Sequence, residues 1–554
     1  MGVPNFITAR VGSFEGNDQP NDFSLDRAYD LGFRFYAGLP IFDQPAIIGQ
    51  IDAGPEIHSP NGVITYTFLD SSHLTGLYNN PNYSFGAAAF GLSPYSEAQR
   101  EAARAAIELW DDLIPQSFRE TNGLGADIQF SNSLDPAQAY AYYPQTAGWK
   151  FQSDVFTNDP NVGAEGNWTN AWFTNLGYGT TTLVHELGHA LGLSHPGAYN
   201  FGQDSDGDGV PDPLTYEEFA EYAQDSTQYT IMSYWDAGET GARIVNWNAL
   251  LFANPQTPLL HDILTIQSKY GADPTTRVGD TTYGFNSNAG NGVYDFGQNP
   301  YPHLAIYDAG GIDTIDLSGF NISQFIDLHA GAFSSIGGGL PDPAAAQAYL
   351  DNLTAISGQD WGTYDAALTN AIMNSYRTAN ANSIAADQAF LGQSPVTGIF
   401  TSEYQNVAIA YGTVIENATG GSARDLIHGN EVANVLKGLG GDDVIRGFEG
   451  NDTIIGGAGA DVMLGGTGSD TFVFDFAEQG DRIDDFTSED FIDFSPFDVD
   501  LNFIGDGAFS ASGSGEIRYE GGLLSADFDG NGTIDFSVTL AGSPAFHPDQ
   551  LLGI

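Results

Sequence analysis

The chain of 554 residues contains no cysteine, so no disulfide staples its fold and no cysteine switch can hold a site closed. Basic residues are scarce. Sixteen Lys and Arg face 71 Asp and Glu, a formal net charge of −55. That balance makes nucleic acid and anionic membrane surfaces poor partners. Self-repulsion of this size also opposes a compact state unless cations neutralise part of it. No apolar run reaches membrane-spanning length, so no integral membrane segment is expected. The opening Met1-Gly2-Val3-Pro4-Asn5-Phe6 lacks a basic region followed by an apolar run, so no N-terminal signal peptide is visible. Phe6 also stands where N-myristoylation calls for Ser or Thr. What is plentiful is core material: 42% hydrophobic and 13% aromatic residues in a chain long enough for two or three domains.

Three of the ten histidines fall within residues 185–195, which read HELGHALGLSH. His185 and His189 are four apart, so on a helix they project from one face and can share a metal ion. Glu186 lies about 100° round the axis, close to that ion without being consumed as a ligand. Gly192 can take the left-handed conformation that ends a helix, and the chain then turns back to deliver His195. Three imidazoles on Zn²⁺ leave a position for water, whose pKa drops to roughly 7. That is the chemistry of a hydrolytic site with Glu186 as general base. A second element, Tyr229-Thr230-Ile231-Met232-Ser233-Tyr234-Trp235, places Met232 about 37 residues past His195 and resembles the Met-turn beneath the zinc of metzincin proteases.

Residues 420–473 divide without a gap into six nonapeptides. The four clearest are GLGGDDVIR, GFEGNDTII, GGAGADVML and GGTGSDTFV, with Asp443, Asp452, Asp461 and Asp470 at the sixth position. Ile445, Ile454, Met463 and Phe472 occupy the eighth. The two preceding units are weaker, with Asp425 in one and Asn434 replacing aspartate in the other. This period resembles the RTX nonapeptide that winds a parallel β-roll around Ca²⁺. Two units complete a coil of eighteen residues, so Asp443 should stack on Asp461 and Asp452 on Asp470, with calcium between turns.

The flanks of the histidine motif carry a wider likeness. His195-Pro196-Gly197, Met232-Ser233-Tyr234-Trp235, Pro258-Leu259-Leu260-His261-Asp262-Ile263 and Gln267-Ser268-Lys269-Tyr270-Gly271-Ala272 resemble the serralysins, secreted bacterial metzincins. The likeness runs from about Gly62 to the C-terminus. It implies an α+β metzincin catalytic domain followed by an all-β parallel β-roll (RTX) domain. The expected boundaries are an N-terminal extension or pro-segment at 1–60, a zinc protease domain at 61–272 and a calcium-binding domain at 273–554. Tyr234 would be a further zinc ligand or a donor to the transition state. Other calcium positions implied by the family are Arg277, Gly279 and Thr281, then Asp308, Gly310, Gly311 and Asp313, and Glu416. The resemblance further implies a monomer acting on protein or peptide substrates and exported by type I secretion machinery. Asp549-Gln550-Leu551-Leu552-Gly553-Ile554 loosely resembles that system's C-terminal signal.

Within the catalytic portion, Ile64-Thr65-Tyr66-Thr67-Phe68-Leu69 alternates like a strand, and Ala126-Asp127-Ile128-Gln129-Phe130 is a second strand candidate. Ser93 and Pro94 are expected to open a helix that sets Ala103, Ile107 and Trp110 on one face. The first 60 residues show no clear periodic pattern.

Two segments depart from the family pattern. Asp204, Asp206, Asp208 and Asp212 have the spacing of the first half of an EF-hand loop, with Thr215 where such a loop carries glutamate. A similar DxDxNGxxD recurs at Asp527, Asp529, Asn531 and Asp535. The second departure, about 340–402, reads as a helical insertion. Asp342 caps and Pro343 begins a helix to Leu353, and a second helix runs from Tyr364 to Tyr376. RTX repeats alone would equally suit a calcium-dependent surface or adhesion protein with a vestigial protease domain. No GxSxG elbow supports an RTX lipase.

Overall fold

The computed structural model describes residues 24–77, 91–134, 138–145, 153–162, 166–199, 214–475 and 479–554. The catalytic portion is built on a five-stranded sheet in the order Ser117–Glu120, Val63–Phe68, Ile128–Ser133, Ser153–Asn158, Ala139–Ala141. All pairs are parallel except the last, so Ala139–Ala141 is an antiparallel edge. Two helices, Glu97–Asp111 and Tyr178–Ala190, pack against each other beside this sheet. The first helix is capped by Ser96, not opened at Ser93: Ser96 Oγ accepts from the Gln99 N–H and Gln99 returns a bond to Ser96. Ser93 instead pairs with Asn132 of the neighbouring strand, a bridge that holds it extended. Ala103, Ile107 and Trp110 do share the buried face.

The segment before residue 60 also forms helices, Leu25–Asp30 and Gln44–Ile51, too short to impose a visible period. They are tied into the body. The Leu25 N–H donates to the Tyr229 hydroxyl, and Asp26 binds Gln224, His261 and Tyr411.

From Thr282 onward the chain coils into two facing sheets. One has eight parallel strands, from Thr282–Gly284 through Thr314–Asp316, Asn417–Thr419 and the nonapeptide strands to Leu551–Leu552. The other carries Phe325–Asp327, Leu426–His428, Val444–Glu449 and Val462–Thr467, continues through the antiparallel run Phe536–Leu540, Leu523–Asp527 and Gly515–Glu520, and ends in Leu501–Phe503, which pairs parallel. Successive nonapeptide strands alternate between the sheets, and partners are eighteen residues apart, as in Ile445 with Met463 and Ile454 with Phe472. All four of these side chains are fully buried between the sheets. Pairing extends beyond three-residue strands into the turns, for example Leu439 with Gly457.

The helical insertion leaves between Phe333–Ser334 and Val407–Ile409, two strands that pair with each other. Its helices are Pro343–Ser357 and Ala366–Phe390, both longer than their local sequence signals suggest. Asp342 and Asp365 cap them with side-chain bonds to first-turn N–H groups.

Candidate metal centre

The helix Tyr178–Ala190 ends where Gly192 adopts φ +96°, and a Cβ there would lie 2.1 Å from the Pro55 carbonyl oxygen. Glycine therefore satisfies both the turn and the close passage of residues 52–55. The reversal returns His195 to the helix. His195 Nε2 lies 3.0 Å from His189 Nε2 and 3.3 Å from His185 Nε2. The other ring nitrogens are engaged: His185 Nδ1–H donates to the Ile231 carbonyl and His189 Nδ1–H to that of Leu193, each at 2.7 Å. Those bonds orient the rings and leave the Nε2 lone pairs facing one point. Burial pushes the His185 imidazole down to about 4, and burial with its two histidine neighbours holds His189 well below the usual range. Neutral, convergent imidazoles are the donor set of a zinc site.

Glu186 is buried, and its Oε2 has no hydrogen-bond partner. Burial pushes its carboxyl up to about 8, which a nearby dication would counter. The Tyr234 ring lies 4.5 Å from that of His195 and 6.2 Å from that of His185, centroid to centroid. Burial, then the charge of Glu186, raises its phenol well above the ordinary value, so it stays a donor. Met232 is fully buried directly under the helix, and a Cβ on Gly188 would meet its sulfur at 2.6 Å. The Trp110 indole N–H bonds the Val184 carbonyl at 3.1 Å, and its ring flanks Gly188 beside Met232.

Two carboxylates that sequence reasoning did not single out shape this centre. Asp262 accepts from Thr230 Oγ1 at 2.6 Å, the Ile231 N–H at 2.7 Å and the Leu259 N–H at 2.8 Å. It thereby sets the turn whose Ile231 carbonyl holds His185. Asp225 accepts from Tyr199, Ser233 and Trp235, and the Tyr199 ring stacks on His195 at 5.8 Å. An acidic residue in the first turn of the helix Leu260–Tyr270 was the one available signal for Asp262. Asp225, in a loop, has none.

Comparison with known proteins adds a separate line. The family description Peptidase M10 serralysin C terminal matches residues 272–387 and 394–552. Metallopeptidase AprA of Pseudomonas marginalis is 35% identical over 556 residues, covering 97% of this chain and 92% of that protein. Metalloprotease AprA of Pseudomonas entomophila (strain L48) is 35% identical over 555 residues, covering 94% and 93%. A serralysin of Proteus mirabilis is 34% identical over 418 residues, covering 72% of this chain and 67% of that protein. The chain belongs to the serralysin family of metalloproteases.

In this serralysin the acidic positions of the roll meet as the eighteen-residue coil requires. Asp443 Oδ1 accepts from the Asp425 N–H, Asp461 Oδ1 from Asp443, and Asp470 Oδ1 from Asp452, at 2.7 to 2.9 Å. The second oxygens of Asp443, Asp452 and Asp470 are buried without a hydrogen-bond partner. Burial pushes these carboxyls up to about 9, 7 and 6 respectively. Asn434 shows what such a position needs. Its Nδ2 donates to the Glu416 carbonyl at 2.8 Å and to Asn430 Oδ1 at 2.9 Å, so an amide N–H does there what a cation would do at the aspartates. Asp481, Asp490 and Asp485 continue the series, accepting from Asp461, Asp470 and the Gly465 and Gly466 N–H groups. Their spacing of about twenty residues hides them from a nonapeptide search.

The earlier turns converge as well. Asp313 Oδ1 accepts from the Thr281 N–H and Glu416 Oε2 from the Asp313 N–H, both at 2.7 Å. Asp313 Oδ2 is buried and unpartnered. The Gly279 carbonyl accepts from Thr281 Oγ1, while Asp308 accepts from the Tyr283 hydroxyl and the Gly310 N–H. Gly311 lies against Gly279, and Arg277 spends its guanidinium on Asp112 and the Ala289 and Tyr307 carbonyls. Asp527, Asp529 and Asp535 each place a carboxylate oxygen within 4.8 Å of the others, with Asn531 turning back onto Asp527 and Asp529. Asp204, Asp206, Asp208 and Asp212 lie outside the described residues.

Proposed function

We propose that this chain is a secreted, zinc-dependent endopeptidase in which His185, His189 and His195 hold the metal and Glu186 is the general base. The convergence of three Nε2 atoms on one point, with Glu186 buried beside them, carries the reading. Zinc, when bound, supplies a Lewis acid that acidifies water and polarises a carbonyl. Glu186 takes the proton of the attacking water and returns it to the leaving amine. Tyr234 would either help hold the metal or donate its hydroxyl hydrogen to the developing oxyanion. The antiparallel strand Ala139–Ala141 lies at the end of the sheet, a direction along which an extended polypeptide could run, and Tyr143 just beyond it stands edge-on to His189 at 5.6 Å.

The proposed domain division is a protease portion at 61–272 and a calcium-bearing roll at 273–554. Calcium is assigned to the stacked turns at 277–281, 308–313 and Glu416, and to Asp443, Asp452, Asp461 and Asp470. Export by type I machinery, with folding after calcium is met outside, is part of the same reading. Among the described residues no helix is long and apolar enough to cross a membrane.

Metal analysis with casein hydrolysis tests the mechanism. Glu186→Ala should keep one zinc per chain yet lose turnover by about 10²- to 10⁴-fold, the range of a general base. His189→Ala should lose both metal and activity. A Glu186→Ala protein that cleaves at the wild-type rate would remove the assigned base.

A further inference from the structure

The two helices of the insertion interrupt the roll and pack both on it, where Ile384 shares a buried cluster with Leu426 and Val444, and on the catalytic portion. Leu350 and Leu353 of the first share a buried cluster with Trp172, Ala249 and Leu251. Ile372, Met373 and Tyr376 of the second share another with Leu176, Ala237 and Trp247. These partners come from two stretches: residues 168–176, which lead into the zinc helix, and residues 237–253, which leave the Met-turn just after Tyr234.

One side chain touches both stretches. The Tyr349 hydroxyl accepts from Asn246 Nδ2 at 2.8 Å and lies 3.5 Å from Thr174 Oγ1. Its ring meets Trp172 edge-on at 6.3 Å. Thr174 is itself part of the helix start, because its carbonyl accepts from the Gly177 N–H and from Thr180 Oγ1. Asn246 sits in the short strand Val245–Asn246, paired with Leu251–Phe252. Farther along, Arg243 bonds Asn380 and Ser383 of the second inserted helix, and Glu403 at the insertion's return accepts from the Val245 N–H.

We propose that Tyr349 is a positioning residue for peptide hydrolysis, clasping the run-in of the zinc helix to the wall beyond Tyr234, so that the inserted helices set which polypeptides the cleft admits. This rests on the endopeptidase reading. Tyr349 touches no metal ligand in these contacts, so its loss should leave the metal in place and alter how substrate seats.

The test uses the full chain with zinc and calcium. Tyr349→Phe keeps the ring and removes both polar contacts, and Asn246→Ala removes one from the other side. For each, KM and kcat on a peptide series, zinc content and the primed-side cleavage profile on a denatured protein mixture are measured. The expected result is zinc unchanged, kcat within about twofold, KM raised about three- to tenfold and a broadened profile. The double variant should match the worse single one, because both break the same clasp. Wild-type KM and profile in both single variants would overturn the proposal, as would activity falling only in step with lost zinc. Failure of the zinc-loaded wild type to cut any protein would instead remove the endopeptidase reading, and the proposal with it.

Discussion

At the residue scale the centre separates groups by the proton each keeps. His189 is buried and His185 half-buried, both held neutral and each donating from Nδ1 to a carbonyl, so both could ligate a metal without losing a proton. Tyr234 is the opposite case: burial and the nearby Glu186 charge keep its proton on, and a protonated phenol is what an oxyanion requires. That bond is strongest in the transition state, so Tyr234→Phe should lower kcat by about a hundredfold while moving KM little. Steady-state kinetics on one peptide decide it. A rise in KM with kcat preserved would make Tyr234 a substrate-binding group instead.

At the scale of elements, the zinc helix is a shared wall. Trp110 and Met232 both close on it at Gly188, where a Cβ would meet the Met232 sulfur at 2.6 Å and the Trp110 ring at 3.3 Å. Gly188→Ala improves intrinsic helix propensity by about 1 kcal/mol but crowds a buried sulfur, and overpacking of this kind costs about 1–3 kcal/mol. The crowding should win, because Met232 is fully buried and the Met-turn it belongs to is pinned by Asp262. A lower melting temperature and faster zinc loss are expected, with partial recovery in Gly188→Ala/Met232→Ala; an unchanged melting temperature would refute the argument. The same helix shows what was legible in the sequence. His185, His189, Gly192 and His195 are spaced by helix geometry and one turn, which sequence states outright, and the nonapeptide aspartates by a repeat. Sequence alone does not choose Ser96 over Ser93 as the cap, because Ser93 is equally good chemistry until its pairing with Asn132 is known. The helices Leu25–Asp30 and Gln44–Ile51 owe their order to docking rather than to amphipathic period. Asp225 and Asp262 act on segments distant in sequence, so no local pattern announces them.

At the scale of the whole molecule, a net charge of −55 meets a roll whose carboxylates are buried in stacked rows. Burial pushes Asp443 up to about 9 and Asp425 and Asp452 to about 7, against an ordinary 3.8. A carboxyl raised by folding binds protons more tightly in the native state, so without calcium stability falls as pH climbs from the unfolded value towards the folded one. Buried histidines act in the other direction. His185, His303 and His428 are lowered to about 4 from 6.5, and their contribution grows with pH only up to about 6.5. Lowered carboxyls such as Asp26 and Asp327 change stability only near and below their ordinary 3.8. His329 is raised by Asp327 and loses its contribution as pH rises, which requires a control. Between about pH 6.5 and 8.5 the calcium-free full chain should therefore melt at progressively lower temperature. Millimolar calcium should raise the melting temperature, and more so at the upper end, because the ion replaces the protons that the carboxylates give up. Asp443→Asn supplies the control, since Asn434 already shows an amide filling such a place with donated bonds. That variant should reduce the calcium-free pH slope, leaving the share of His329 and of Glu186 and Glu403, which burial raises to about 8. Circular dichroism melts of both proteins, with and without calcium, read the outcome. A wild-type slope that is flat or positive over this range, or one that survives Asp443→Asn unchanged, would mean that the stacked aspartates do not govern the folding of the roll.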